Sequence, residues 1–548
     1  MRYLKELKYE VSPQKDLEML SRLLGNKKVK QAVVQRFMCL GVLLFIWVYV
    51  NGGLVPKFLH KQMILTSNSE SSLLAFFPAV DDNAAMIKWA REVNSQEMLE
   101  RALYSRDLHM IESDLMIRGQ GTSNQELVAV MAQLPQTDGA LTFTSWLEQV
   151  IKASAKGFKL DFQAFDAVEI TLQELQDKKS QITVPVWLHA DVLQGPLGNN
   201  PRIESTRFIK IVKKMFPEST LSLGWTTGFH TDVSQISYTW NMILDMYYVV
   251  HNAEVKPPLV FSVRASFLEN SIPQLKWLLD NTGGSLYVWQ HPSDHGVQYS
   301  NILRYLCYRF PPKSVFFDLS NDELETMVQT NRRITSNKDL DARVEMRDSL
   351  MFRPEAWVKM GFHMEAHSIL GSTEAVVLQS RAVYMVTKSK YTPNPNVRLQ
   401  GRVQFFNRRN LQEEHGRTGL SIFVRSSQYM HFEDIKGIKC FIGIDGEIVV
   451  ESVNMPDLKI KESHKVTPGS ADCYRFSVVD EGPRLMFVVT VLPECHTLES
   501  AKPIDRIPAE INVRLPAQTE TAEHPFIVKL EDSRRTAVLD ELTVKFLQ

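Results

Sequence analysis

Eight short apolar runs alternate with amphipathic segments between residues 86 and 319, and this alternation restricts the possible fold more than any other feature. The runs are MIKWA (86–90), MIESDLMI (110–117), GFKLDF (157–162), VPVWLHAD (184–191), LSLGW (221–225), LVFSVRA (259–265), SLYVWQ (285–290) and SVFFDL (314–319). Seven segments between them place apolar residues at i, i+3 and i+4, as amphipathic helices do. Eight strands alternating with helices over about 235 residues predict a (β/α)8 barrel at residues 84–320. An open doubly wound sheet is the alternative, but no G-x-G-x-x-G follows the first run.

The periodicity changes after about residue 360, where short alternating runs follow one another with little helix between them. Asp445 and Gly446 separate two of these runs, and an Asp-Gly pair in that position is a strong signal for a β-hairpin. The pattern predicts an all-β, sandwich-like domain at residues 361–548. Residues 321–360 are the predicted connector and are helical in part. The expected fold class is therefore α/β, with a barrel followed by a sandwich.

Residues 37–55 form a stretch of 19 residues without a charge, and about 20 apolar residues cross a bilayer as a helix. The 20 residues before this stretch contain five Lys or Arg, whereas residues 51–70 contain two. The positive-inside rule then predicts a cytosolic tail at 1–36, a single-pass transmembrane helix at 37–55 and a stalk at 56–83, with the bulk of the chain extracellular or luminal. A cleaved signal peptide, which would give a secreted form, is the alternative, although 36 preceding residues are long for one.

Charge and cysteine content exclude two classes of function. The formal net charge is −1, and Lys and Arg are not clustered among aromatic residues, so nucleic acid is not a predicted partner. The five cysteines show no CxxC or Cys/His ligand spacing, which argues against a structural zinc site. Cys440, Cys473 and Cys495 lie close together in sequence, so one disulfide is expected in an oxidising compartment, with its pairing left open.

Acidic side chains interrupt the buried runs where a barrel would have its mouth. Glu112 and Asp114 are two residues apart and therefore share one face of their strand, and Asp161 ends the next run with Lys159 two residues before it. Converging carboxylates repel one another unless they are protonated or bridged by a cation. Oxygen ligands of this kind suit Mg²⁺ or Ca²⁺. The alternative is a site without metal, in which Lys159 neutralises the acids.

Five stretches of the chain resemble the menorin family, and the resemblance covers residues 84–320. They are SDLHMIESDLMIRG, KGFKLDFQAFDAVE, VPVWLHADVLQGP, FPESTLSLGWTTGF and FSVRASF. The family belongs to the phospholipase-C-like phosphodiesterase barrels, which are related to glycerophosphodiesterases. In such barrels an E-x-D pair and an acid from the next strand hold a divalent metal. The resemblance therefore implies that Glu112, Asp114 and Asp161 are metal ligands.

Two positions depart from the family pattern, and both concern proton transfer. Where the family has a histidine after the first strand, this chain has Arg91 in the sequence WAREVN. Where the family has a second histidine after the second strand, this chain has Gln133 in the sequence MAQLP. Arginine stays charged far above neutral pH and glutamine does not titrate, so neither can act as a general acid or base. The departures predict a barrel that binds without catalysing.

Other histidines at the mouth are weaker candidates for the missing acid and base. His189 and Asp191 end the fourth run, and His291 follows the seventh run within the sequence QHPSDH. Histidine at such positions can act as a base or a ligand. The simpler interpretation is that these side chains form hydrogen bonds in the mouth.

Three further side chains are candidates for ligand binding. Trp225 and Trp289 end barrel runs, where they either form the wall of a pocket or pack in the core. Arg264 ends the sixth run and either binds a phosphate or forms an ion pair with Asp318.

Two functions follow from these observations and from the resemblance. The first is a membrane-anchored, extracellular recognition protein with a non-catalytic barrel, because menorin relatives are implicated in neuronal patterning through complexes of cell-surface or secreted proteins. The second is a metal-dependent phosphodiesterase acting on glycerol- or lipid-type phosphodiesters with a rearranged acid and base. The first is favoured because both expected histidines are replaced.

Overall fold

The computed structural model describes residues 72–546 with gaps, and residues 1–71 and 547–548 lie outside the described part. The gaps are 231–232, 234–235, 295–302, 304–305, 307–308, 321, 325–352, 361–368, 373, 393–395, 408–417, 428–434, 470–471, 493–494, 496–507, 517–522 and 533–534. The predicted membrane helix at 37–55 and its flanks are therefore outside the described residues. Within the described residues, no helix is long and apolar enough to cross a bilayer.

Eight parallel strands and one antiparallel strand form the first sheet. This sheet curls into a nearly closed barrel. The strands are β1 (Trp89–Ala90), β2 (Met110–Ile117), β3 (Ala129–Met131), β4 (Gly157–Phe162), β5 (Val186–Gln194), β6 (Thr220–Thr226), β7 (Leu259–Arg264), β8 (Ser285–Trp289) and β9 (Val315–Asp318). The parallel order is β1-β2-β4-β5-β6-β7-β8-β9, and β3 pairs with β2. Among the described residues, no ladder joins β9 to β1, so the barrel has a seam there.

Among the described residues, six α-helices lie between strands, as the periodicity predicts, and one short α-helix precedes the first strand. They are α1 (Ser72–Phe76), α2 (Gln96–Tyr104), α3 (Phe143–Ala153), α4 (Phe165–Asp177), α5 (Ser205–Met215), α6 (Trp240–Asn252) and α7 (Ile272–Thr282). Polar caps fix where several of them begin: Ser95 and Thr142 each accept a hydrogen bond from a backbone N–H of the first turn of α2 and α3. The predicted last helix, at 299–310, lies mostly outside the described residues.

The first predicted run is only partly a strand. Residues Ala84–Met86 form a 3-10 turn, and the strand is limited to Trp89–Ala90. The short strand β3 has no counterpart among the predicted runs, because three residues are too few to show a period.

The segment before the barrel covers its lower end. Leu73, Leu74 and Val80 are buried in one cluster with Trp187 and Phe316, which lie at the amino-terminal ends of their strands. The sequence predicted that residues 56–83 form a stalk. That prediction is wrong for residues 72–83, because their apolar side chains bury the open end of the barrel.

Two antiparallel sheets form the second domain and share one core. The first has the order β10-β13-β22-β15-β16-β17-β18 and the second β11-β12-β23-β14-β19-β20-β21. Their bounds are β10 (Trp357–Met360), β11 (Ile369–Gly371), β12 (Ala375–Leu378), β13 (Tyr384–Thr387), β14 (Val397–Asn407), β15 (Gly419–Ser427), β16 (Lys436–Gly443), β17 (Glu447–Val453), β18 (Lys461–Lys465), β19 (Cys473–Asp480), β20 (Arg484–Leu492), β21 (Ala509–Arg514), β22 (Ile527–Leu530) and β23 (Arg535–Phe546). Ile422 and Val450 from one sheet pack with Phe476 and Leu539 from the other. This is the predicted sandwich.

Local details of the second domain match or refine the sequence expectations. Gly446 has a φ of +81° in the turn between β16 and β17, as the Asp-Gly hairpin requires. Cys473 and Cys495 form the disulfide, whereas Cys440 is buried as a free thiol. Strand β10 lies inside the predicted connector, because Trp357 pairs with Thr387 of β13.

Candidate functional site

Strand register brings the sequence-predicted acids together. Asp114 on β2 lies opposite Asp161 on β4, and Asp161 lies opposite His189 on β5. One step lower, Glu112 lies opposite Lys159. These side chains line a cavity of about 590 Å³ at the carboxyl ends of the strands. The cavity is therefore at the position where barrels of this type place their functional sites.

Glu112, Asp114 and Asp161 each offer one ligand oxygen, and the three oxygens lie within 4.8 Å of one another. Asp114 is held on both sides: Asn94 Nδ2 donates to Oδ2 at 2.8 Å, and Gln163 Nε2 donates to Oδ1 at 2.8 Å. Glu112 Oε2 accepts a hydrogen bond from the backbone N–H of Glu92 at 2.8 Å. The surrounding donors thus fix the orientation of Glu112 and Asp114.

Lys159 lies between the acids without forming a close bond to either. Its Nζ is 3.8 Å from Glu112 Oε1 and 3.8 Å from Asp161 Oδ2, beyond ordinary hydrogen-bond distance. The ammonium also lies 4.5 Å from the centre of the Tyr287 ring. Lys159 therefore offsets only part of the negative charge of Glu112 and Asp161, which it would have to neutralise in a site without metal.

The electrostatics of the cluster favour a cation. Burial, together with repulsion from Glu112 and Asp161, holds the pKa of Asp114 well above its usual range, against the opposing effects of Asn94 and Lys159. Burial also raises the pKa of Asp161, although His189 and Lys159 act in the opposite direction. A bound divalent cation would remove this repulsion, and carboxylate oxygens are the ligands that Mg²⁺ and Ca²⁺ prefer. The three acids therefore fit the metal that the family resemblance implies.

His189 and Asp191 extend the cluster toward β6. His189 is buried, and its Nδ1 lies 2.9 Å from Ser222 Oγ. Its Nε2 lies 3.5 Å from Asp191 Oδ1 and 3.7 Å from Asp161 Oδ2. Burial and the neighbouring Lys159 lower the pKa of His189 to about 4, so the ring is neutral at pH 7. Burial raises the pKa of Asp191 to about 7, although 43% of its side chain is still exposed in the cavity.

Arg91 closes the seam of the barrel. Its Nε lies 3.0 Å from Asp318 Oδ2, and its Nη1 donates to the carbonyl of Gln290 at 2.6 Å. Tyr287 also donates a hydrogen bond to Asp318. Burial opposes the charge of Arg91, but Asp318 and other acids more than compensate and raise the pKa of Arg91. Arg91 therefore pairs with Asp318 and not with the three carboxylates.

Comparison with known proteins places this arrangement in a family. Residues 83–324 match the Menorin N-terminal domain, and residues 363–543 match the Menorin C-terminal domain. Human Protein FAM151B is 36% identical over 240 residues, which cover 43% of this chain and 84% of that protein. The chain belongs to the menorin family. The two domain matches correspond to the barrel and to the sandwich.

Solved structures resemble this menorin only distantly. A legume lectin-like domain from Entamoeba histolytica covers 36% of the chain at 13% identity, with 98% of that domain matched and a TM-score of 0.26. The carbohydrate binding module CBM66 from Bacillus subtilis covers 35% at 10% identity, with 95% of that module matched and a TM-score of 0.23. Neither similarity is close enough to bear on what this menorin binds.

The two departures from the menorin pattern lie at different places in the structure. Arg91 is engaged by Asp318 and Gln290 at the seam. Gln133 lines the cavity after β3, where its amide can donate or accept a hydrogen bond but cannot titrate. Trp289 and His291 also line the cavity. His291 Nδ1 accepts a hydrogen bond from the backbone N–H of Ser293 at 3.0 Å.

Two predicted binding residues of this menorin lie outside the cavity. Trp225 is buried and packs beside Tyr238, with ring centres 5.2 Å apart, so it belongs to the core and does not wall the cavity. Arg264 is buried and its Nε donates to Asp294 Oδ2 at 3.0 Å. The predicted pair of Arg264 with Asp318 is wrong, because Arg264 on β7 faces the loop after β8, whereas Asp318 faces Arg91 across the seam.

Sequence reasoning missed the residues that support the acids. Asn94 and Gln163 hold Asp114, and neither was a predicted site residue. The Asn94 side chain also binds the backbone of β2, since its Oδ1 accepts a hydrogen bond from the backbone N–H of Asp114 at 2.9 Å. The signal available was the asparagine in WAREVN, which keeps the family residue, as the tryptophan of that motif also does.

Proposed function

We propose that this menorin is a membrane-anchored recognition protein of the cell surface whose barrel binds a divalent cation and, through it, a phosphate-bearing ligand without cleaving it. The cation is Mg²⁺ or Ca²⁺, held by Glu112, Asp114 and Asp161. The supporting observation is that neighbouring donors orient Glu112 and Asp114 beside Asp161, while the positions of both family histidines hold residues that cannot transfer a proton at neutral pH.

The charge balance of the cavity supports cation binding. Glu112, Asp114, Asp161 and Asp191 face one ammonium, that of Lys159, which is 3.8 Å from its nearest carboxylate oxygens. Arg91 does not offset these acids, because Asp318 already pairs with it. A divalent cation would leave the cavity near neutrality and provide an attraction for an anionic oxygen.

This recognition role requires two binding surfaces. The barrel mouth takes the small anionic ligand, and the sandwich offers a second surface for cell-surface or secreted proteins. The proposed anchor is the apolar segment at 37–55, which would leave both domains outside the cytosol. The disulfide between Cys473 and Cys495 agrees with an oxidising compartment.

A phosphodiesterase is the second candidate, and Asp191 is the observation that favours it. Its pKa of about 7 is the value at which a carboxyl can both donate and accept a proton near neutral pH. His291 lies at the same cavity and could serve as its partner. In this candidate the cation supplies charge stabilisation to the phosphate, and Asp191 and His291 replace the two missing histidines.

One experiment distinguishes the two candidates. The purified full chain is titrated with Mg²⁺ or Ca²⁺ and then with glycerophosphocholine by calorimetry, while phosphorus NMR follows any cleavage of the diester. We expect cation binding, cation-dependent binding of glycerophosphocholine and no product. Cation-dependent product would replace the recognition proposal by the phosphodiesterase, and absence of any cation binding would overturn both.

Two variants define the site in that experiment. Glu112→Gln and Asp114→Asn keep the size of the side chains but remove ligand charge, and each is expected to abolish cation binding. Glu126→Gln, on an exposed residue, is the matched control and should bind the cation like the wild type. Restoring both histidines with Arg91→His and Gln133→His tests whether those positions alone silence the barrel. Turnover in this double variant would support that interpretation.

A further inference from the structure

A second group of possible ligand atoms lies on the side of Asp161 that faces β5 and includes His189 and Asp191, which do not belong to the three acids. Asp161 Oδ2 and Asp191 Oδ1 lie on either side of His189 Nε2, at 3.7 and 3.5 Å. Ligands about 2.1 Å from a common metal in tetrahedral geometry are about 3.4 Å apart, so both separations are close to those of a metal site.

His189 is oriented as a metal-binding histidine. Its side chain is 97% buried, since its exposed fraction is 3%. Nδ1 lies 2.9 Å from Ser222 Oγ and can donate to it, which leaves the lone pair of Nε2 free. Within the described part of the chain, Nε2 has no hydrogen-bond partner and is directed between two carboxylates.

The two carboxylates also lack donors. Within the described residues, neither Asp161 nor Asp191 accepts a hydrogen bond from any side chain or backbone N–H; their nearest polar neighbours are His189 and, for Asp161, Lys159 at 3.8 Å. Buried polar groups are normally satisfied, and a buried His189 Nε2 that faces two carboxylates without donors indicates a missing positive charge. The Asp191 side chain is 43% exposed, so it has room to rotate toward a cation.

The neighbouring strand leaves space for this arrangement only because it carries a glycine. A Cβ added at Gly224 would lie 2.1 Å from Asp191 Oδ1 and 2.8 Å from the Cε1 atom of His189. Any other residue at position 224 would displace both side chains. The absence of a side chain at position 224 therefore leaves the space that His189 and Asp191 occupy.

We propose that His189, Asp161 and Asp191 form a second metal site, in which Asp161 is shared with the cation held by Glu112 and Asp114. A nitrogen ligand beside carboxylates suits a transition metal such as Mn²⁺ or Zn²⁺ better than Mg²⁺ or Ca²⁺. The barrel mouth is thus a two-metal centre with a bridging carboxylate. This inference rests on the proposed function for its first cation but has its own ligands.

Mn²⁺ binding to the full chain, followed by electron paramagnetic resonance, tests this inference. The wild type is expected to bind two Mn²⁺ per chain, with a spectrum broadened by coupling between the two ions through Asp161. His189→Gln should bind one Mn²⁺ and show the spectrum of an isolated ion. Its affinity for that remaining ion should change less than tenfold, whereas the second ion should be lost.

Matched variants keep the result interpretable. His464→Gln replaces an exposed histidine on β18 and should bind two ions. Should His189→Gln fail to fold, as judged by circular dichroism, Asp191→Asn and Gly224→Ala address the same site through other residues, and each should reduce binding from two ions to one.

The outcomes separate this inference from the proposed function. One Mn²⁺ in both the wild type and His189→Gln would overturn the second site and leave the first. No Mn²⁺ in the wild type would overturn both. Two coupled ions in the wild type and one in the variants would support both.

Discussion

Arg91 Nε lies 3.0 Å from Asp318 Oδ2 and joins β1 to β9, between which the described part of the chain has no strand ladder. The residue that replaces a proton-transferring histidine thus has a structural role at the seam of the barrel. Asp318 is 4% exposed, and Arg91 is 29% exposed. Burial raises the pKa of Asp318 to about 6, while Arg91 and Tyr287 act to keep it charged.

Replacing Arg91 by Met should lower the free energy of unfolding by about 2–3 kcal/mol at pH 8. The physical reason is that a buried carboxylate loses its partner, which costs about 3–5 kcal/mol when both charges are buried and less here because Arg91 is partly exposed. Urea denaturation at pH 8 measures the change.

The same comparison at pH 5 provides the control, since Asp318 can then be protonated and the loss should shrink. The double variant Arg91→Met, Asp318→Leu should recover part of the stability at pH 8. Equal losses at both pH values would show that Asp318 is not the partner that matters.

Asp191 should make the stability of the metal-free protein fall as the pH rises. Its folded pKa of about 7 is above the ordinary aspartate value of 3.8, so the folded state binds the proton more tightly than the unfolded state. This contribution is fully present below about pH 4 and is lost as the pH rises toward 7. Asp191→Asn, which is always neutral, should therefore gain stability relative to the wild type across that interval.

Thermal unfolding of the two proteins in EDTA, between pH 4 and pH 8, measures this difference. His189 titrates in the same interval with a lowered pKa, so only the difference between the proteins isolates Asp191. A difference that stays constant with pH would mean that Asp191 is not titrating in this range.

Asn94→Ala should weaken cation binding by about 10–100-fold, the usual effect of removing a residue that orients a metal ligand. Asn94 Nδ2 donates to Asp114 Oδ2 at 2.8 Å, and without it the carboxylate can rotate away from the other two acids. Calorimetric titration with Mg²⁺ measures the affinity. Asn124→Ala, on an exposed residue of the loop after β2, should bind like the wild type.

Leu73→Ala should destabilise the barrel by about 2–5 kcal/mol, as expected for a buried leucine that leaves a cavity. Leu73 is fully buried with residues at the lower end of the barrel, although it precedes the barrel in sequence. Leu127→Ala is the control, because Leu127 is 75% exposed and should change stability by less than about 0.5 kcal/mol. If both variants changed stability by equally small amounts, residues 72–83 would belong to a stalk and not to the core of the barrel.

Removing the disulfide by Cys473→Ala and Cys495→Ala should lower stability by about 3 kcal/mol, the loop-closure entropy for a loop of this length. The two cysteines are 22 residues apart. Unfolding in urea measures the loss. Cys440→Ala leaves the disulfide intact and provides the comparison for removing a buried thiol.

The sequence by itself determined the order of elements and the acids of the site. Eight strand-like runs alternating with helical segments define a barrel, because the two periods place apolar side chains on one face of each element. The spacing of Glu112 and Asp114 placed both on one face of β2, which is a local property of any strand. The resemblance to menorins added the family and the implied role of Glu112, Asp114 and Asp161 as metal ligands.

Tertiary structure alone decided the partners of the charged groups. That Arg91 meets Asp318, that Arg264 meets Asp294, and that His189 points between Asp161 and Asp191 depend on which strands are neighbours and on their register. Sequence spacing carries no information about such contacts, because residues more than 200 positions apart become neighbours only when the barrel curls toward closure. The contacts between charged side chains at the mouth of the barrel therefore depend on the curvature of the sheet.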